Sequence, residues 1–121
     1  MTPFAIAGVQ MYVNPLHSNV EGMLQRLDVL MLRFPWTQMV LFSELSPFGP
    51  LEKFKLPQQN EVIDKFCEAA RRHKVWLIPG SMFLTHPEDG RIYNTSLVIN
   101  PDGEVIRRYA KMFPFLPYEA G

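Results

Sequence analysis

Hydrophobic positions along the chain recur with two different periods, and the switches between them divide it into strands and helices. Residues 4–11 mix β-branched and small apolar side chains over the length of one buried strand, and Asn14-Pro15 breaks the pattern. Helical spacing follows at Val20, Met23, Leu24, Leu27 and Met31; Ser18 three residues before Glu21 predicts a capping box, and Pro35 ends the helix. Residues 39–42 form a continuous apolar run, as expected of a strand covered on both faces. Residues 46–59, with three prolines and Gly49, are predicted to be a long loop that either shapes a pocket or crosses the surface.

The second half of the pattern opens at Asn60, which suits a helix cap. Val62, Ile63, Phe66, Cys67 and Ala70 make one apolar stripe, with Glu61, Asp64, Lys65, Glu68 and Arg71 facing water. Arg71, Arg72, His73 and Lys74 form a basic last turn favoured by the helix dipole. Strands are predicted at 75–78 and, after Pro79-Gly80, at 81–84. A turn at 86–90 precedes two more strands, 92–99 and 104–109, joined by Asn100-Pro101-Asp102-Gly103. Strand, helix, strand, helix and then several strands describe an α/β unit with a mixed sheet and no internal repeat or linker.

Composition narrows the function classes. With 121 residues, 47% of them hydrophobic, the chain is one domain with enough apolar side chains for a core. Lys plus Arg and Asp plus Glu each number 12, so charge points to neither nucleic acid nor an anionic membrane. No apolar run approaches the roughly 20 residues of a membrane helix. Met1-Thr2-Pro3-Phe4 places no basic residue before its apolar stretch, which argues against a secretory signal. One cysteine allows no internal disulfide, and a soluble, cytoplasmic protein is the expectation. No glycine-rich phosphate loop or paired Cys/His spacing is present, so neither cofactor nor metal is expected; His17, His73 and His86 are expected to be solvated.

Two charged residues stand out against apolar neighbours. Glu44 follows the 39–42 run and enters a Pro/Gly loop, and strand ends in open α/β sheets are where ligand chemistry is carried. Lys111 leaves the last strand pattern among Tyr109, Ala110, Met112 and Phe113. Three segments in this order, Phe42-Ser43-Glu44-Leu45 through Gly49, Ile92-Tyr93-Asn94-Thr95-Ser96 through Val105, and Tyr109-Ala110-Lys111 with the apolar residues after it, resemble the nitrilase or carbon-nitrogen hydrolase superfamily. The resemblance runs from Phe4 to the last residue. It implies a nitrilase-like four-layer αββα sandwich, of which residues 1–121 are roughly the N-terminal half. Such a half would leave an apolar sheet face or unpaired strand edges uncovered.

The resemblance also implies a reaction: hydrolysis of an amide, nitrile or carbamoyl carbon-nitrogen bond through a cysteine thioester. Glu44 is the expected general base, Lys111 the ammonium that stabilises the tetrahedral intermediate, and Glu119 a second carboxylate, of the kind amidase members carry, that positions substrate. The family's nucleophilic cysteine follows its lysine by a few tens of residues and has no counterpart in residues 1–121. Cys67 sits within a helical stripe and reads as a small buried filler. The expectation is therefore a partial carbon-nitrogen hydrolase domain, inactive alone, whose complete form acts on a small molecule as a homo-oligomer. The alternatives are a non-catalytic remnant that binds a partner or a small acyl ligand, and a small α/β domain whose Glu44 and Lys111 are structural.

Overall fold

The computed structural model describes residues 4–112. Seven strands, β1 (Ile6–Val9), β2 (Met39–Phe42), β3 (Leu56–Pro57), β4 (Trp76–Ile78), β5 (Ser81–Thr85), β6 (Ile92–Ile99) and β7 (Val105–Met112), form one mixed sheet beside two helices, α1 (Val20–Arg33) and α2 (Glu61–His73). The order runs β1-β2-β4-β6-β5-β3, with β7 also paired to β6. β1, β2 and β4 are mutually parallel, in register Ile6–Met39–Trp76 and Gly8–Leu41–Ile78. Parallel neighbours require crossovers, and α1 and α2 supply them. Both crossovers step in the same direction along the sheet, so a common right hand puts both helices on one face.

That face holds the core. Val40, Phe42, Leu77, Met82, Leu84, Leu97 and Ile99 point from the strands into Val20, Met23 and Leu27 of α1 and Ile63, Phe66, Ala69 and Ala70 of α2. β2 and β4 alternate buried and half-buried positions along their length. The apolar run 39–42 is thus a strand covered fully on one face and partly on the other, which corrects the expectation of two covered faces. On the opposite face Ile6 is 58% exposed, Tyr109 is 62% exposed, and Met39, Leu41, Trp76 and Ile78 are half-buried. This is the uncovered apolar face expected of half a sandwich.

Local signals explain most of the elements. Asn60 caps α2 as expected, its side-chain oxygen accepting from the Val62 and Ile63 amides at 2.9 and 3.0 Å. The capping box at Ser18 and Glu21 does not form. The helix instead starts after Asn19, and the Ser18 hydroxyl accepts from the Val20 amide. The Asn19 side chain makes no cap hydrogen bond because it is engaged elsewhere: it accepts from the Asn14 amide and donates to the carbonyls of Asn14 and Pro47. The predicted loop 46–59 contains a short 3-10 turn (Glu52–Phe54) and β3, whose parallel pairing with β5 no local signal announces. β1 is narrower than 4–11, and β7 runs on to Met112, which places Lys111 within a strand instead of beyond its end.

Candidate active site

Glu44 stands two residues beyond β2, at the crest of a short turn tied down on every side. The Ser46 amide and hydroxyl both donate to the Ser43 carbonyl, at 3.2 and 2.7 Å. The Ser43 and Ser46 hydroxyls are 3.1 Å apart, and Ser46 is fully buried. The Leu45 amide donates to the Ser81 hydroxyl at 3.0 Å, and the Gly49 amide donates to the Leu45 carbonyl at 2.7 Å. Leu45 itself has φ of 61°, a left-handed conformation that costs a residue with a side chain about 1–2 kcal/mol. The surrounding bonds hold it there, as strained backbone at functional sites requires. Gly80 closes the back of the turn: its φ is 81°, and a Cβ there would run into the Ser43 carbonyl oxygen. Only glycine allows that approach.

The turn presents the Glu44 carboxylate, which is exposed, to the side chain of Asn94 in the middle of β6. Asn94 Nδ2 donates to Glu44 Oε2 at 2.7 Å across fifty positions of sequence. The length is that of a charge-assisted bond. Asn94 is only 9% exposed, and its Oδ1 is buried without a hydrogen-bond partner among the described residues, an arrangement that costs about 1–3 kcal/mol. In the antiparallel β6–β7 ladder Asn94 is the register partner of Lys111, and Ser96 that of Tyr109. All four side chains therefore lie on the sheet face turned away from the helices. With Glu44 and Ala110 they line an open cleft of about 310 Å³.

The fold thus brings two of the sequence-predicted residues, Glu44 and Lys111, to one cleft without a direct ion pair between them. The third, Glu119, lies outside the described residues. Cys67 lies against the core on the helix-covered face, and burial, followed by the neighbouring Asp64 carboxylate, pushes its thiol above the ordinary range. It is not part of the cleft. The histidines differ from expectation in two cases. His73 is the last residue of α2 and largely buried, its Nε2 donating to Asp28 Oδ1 of α1 at 2.7 Å; His86 is half-buried with its ring edge against Tyr93. His17 is exposed as expected. Among the described residues no group of His, Cys, Asp and Glu could hold a metal ion, and no helix is long and apolar enough to cross a membrane. A larger cleft, about 620 Å³ over β1 and α1, contains neither carboxylate nor thiol.

Asn94, Ser81, Ser46 and Gly80 are the contributors that pattern reading leaves unassigned. A signal for Asn94 exists: asparagine is depleted in strand interiors, and here it interrupts an otherwise β-favouring run.

Residues 5–121 match the family described as carbon-nitrogen hydrolase. The chain belongs to the carbon-nitrogen hydrolase family. A formamidase of Helicobacter acinonychis is 27% identical to it, the match covering 96% of this chain and 38% of that protein. Among solved structures, Saccharomyces cerevisiae Nit3, a member of branch 10 of the nitrilase superfamily, superposes with a TM-score of 0.69 at 22% identity, over 78% of this chain and 38% of its own. An amidase from Nesterenkonia sp. gives a TM-score of 0.73 at 22% identity, over 97% of this chain and 46% of its own. The fold is accordingly that of the nitrilase superfamily. The chain spans less than half the length of these relatives, and its one sheet with one helical layer corresponds to one α layer and one β layer of the four-layer sandwich.

Proposed function

We propose that this member of the carbon-nitrogen hydrolase family contributes the base and the ammonium of a site that hydrolyses a small amide, nitrile or carbamoyl compound, with the amide class favoured by the names of its relatives. The observation that carries the reading is the placement of Glu44 and Lys111 in one cleft with Asn94 holding the carboxylate. In this reading Glu44 takes the proton of a thiol as it attacks the substrate carbon. The Lys111 ammonium stabilises the charge that builds on the substrate oxygen or nitrogen, and Glu119 orients the substrate. With an amide or carbamoyl substrate Glu44 returns that proton to the departing amine or ammonia, a thioester remains, and the regenerated carboxylate then deprotonates the water that cleaves it; a nitrile gives a thioimidate, which water converts to the thioester with release of ammonia. The thiol comes from a cysteine outside residues 1–121, since Cys67 faces the core. The complete protein is cytoplasmic and homo-oligomeric in this proposal, and residues 1–121 alone are inactive.

Ammonia release from formamide and other short amides, measured on the product of the complete reading frame, tests this. Activity is expected, with Glu44→Gln and Lys111→Ala each reducing kcat by at least about a hundredfold. Wild-type activity in either variant would remove these residues from the mechanism. A second reading, a non-catalytic remnant that binds a partner, takes its support from the exposed apolar sheet face and predicts no turnover at all.

A further inference from the structure

Asn94 is a polar side chain in the interior of a strand, nine-tenths buried, with one polar atom used and the other not. Its orientation is set by its neighbour. An ionised carboxylate can only accept, so the amide must turn Nδ2 towards Glu44, and this directs Oδ1 elsewhere. What remains is a buried, unpartnered acceptor on a side chain that lines the cleft Lys111 shares. Lys111 is the cross-strand register partner of Asn94, a position where Cβ atoms on one face stand roughly 5 Å apart. It is exposed and forms no hydrogen bond or ion pair with any described residue. An ammonium has three donors and no acceptor, so an empty acceptor one rung away complements it.

We infer that Asn94 is a positioning residue whose carboxamide bridges the site, Nδ2 holding Glu44 and Oδ1 taking one N–H of the Lys111 ammonium. This rests on the hydrolase reading for its functional meaning, but not for its geometry. The bridge has a chemical consequence. A direct Glu44–Lys111 pair would occupy the base and bring the ammonium down onto it. An amide between them holds both groups at the edge of the cleft, keeps one carboxylate oxygen free for a proton, and leaves two ammonium donors for charge developing on a substrate. No hydroxyl or carboxylate does this as well: the position calls for one donor and one acceptor at fixed separation, and a carboxylate would set two like charges side by side.

The test is spectroscopic and uses the 121-residue chain. The side-chain amide protons and Cγ of Asn94 are followed by NMR in the wild type and in Glu44→Gln, Lys111→Met and Lys111→Arg, with backbone amide spectra confirming the same fold. Lys111 is exposed, so its replacement leaves the sheet intact. Glu44→Gln is expected to move the amide protons upfield, Lys111→Met to move Cγ, and Lys111→Arg to restore most of the Cγ shift. An Asn94 Cγ that is unchanged in Lys111→Met overturns the bridge. In the product of the complete reading frame, Asn94→Ala is expected to lower kcat by about a hundredfold with KM within about twofold, the pattern of misplaced groups; an equal rise in KM with unchanged kcat also overturns it. Absence of all turnover in the wild type would remove the hydrolase reading while leaving the NMR result to decide the bridge.

Discussion

The two faces of the sheet are made from the same strands and have opposite fates. On one, Val40, Leu77, Leu97 and Ile99 are fully buried beneath α1 and α2. On the other, their sequence neighbours Met39, Trp76, Ile78 and Val98 are half-buried and Ile6 and Tyr109 exposed, although the chemistry of the side chains is similar. The difference teaches that apolar character in a strand reports the capacity to be covered, while cover itself depends on which other elements are present. The first face is completed within the chain. The candidate site lies on the second, so its polar groups meet solvent where a further layer of the sandwich would otherwise exclude water and strengthen their interactions.

Neighbouring residues of β4 give the sharpest way to break this comparison. Leu77→Ala should lower unfolding free energy by about 2–5 kcal/mol in urea titration, whereas Ile78→Ala, one residue away on the open face, should cost less than about 1 kcal/mol. Equal costs would mean that the open face is covered in solution. Gly80→Ala comes next. It adds a methyl group against the Ser43 carbonyl and forces a left-handed backbone on alanine, so a loss of more than about 1 kcal/mol is expected, together with shifted resonances at Ser43 and Glu44. Asn60→Ala removes the cap of α2 and should cost about 1 kcal/mol without altering the site.

The smallest effect concerns the outside of the helical layer. Asp28 accepts from His73 and from Arg72, and these bonds hold its carboxyl below the ordinary range, with burial opposing them. A depressed folded-state value means that the contribution is present above the unfolded carboxylate range and is lost as pH falls through the folded one. Asp28→Asn should therefore destabilise the chain near neutral pH by a few tenths of a kcal/mol, since the pair is half-exposed and screened. The gap to wild type should begin to narrow as pH falls towards 3.8, the ordinary carboxylate value, and close once pH has passed the lowered folded-state value. A gap that persists at pH 2 would assign the effect to packing instead.

The bounds of β2 and β6 and the cap of α2 are legible in the sequence, because strand propensity, chain breakers and capping in those segments act locally. What distant partners decide is not. Ser18 and Glu21 have the spacing of a capping box, but Asn19 is drawn into bonds with Asn14 and Pro47 and the helix starts one residue later. Leu56–Pro57 becomes a strand only because β5 offers it an edge. At the site, Glu44 and Lys111 were legible as isolated charges among apolar residues. The role proposed for Asn94 is not legible locally, since it depends on a carboxylate fifty positions away and a lysine on the adjoining strand.

Among the described residues β7 pairs only with β6, which gives the site a history as well as a shape. During synthesis Glu44 emerges first and its turn cannot be braced until Ser81 follows; Asn94 comes later and Lys111 last of the three. Of these three residues the last to arrive sits on a strand that, among the described residues, is paired along one edge alone. In hydrogen exchange β7 amides should open well before those of β2, and each opening would dismantle the cleft while leaving the core folded. Readiness of the site and integrity of the fold are then separate quantities, measured on different clocks.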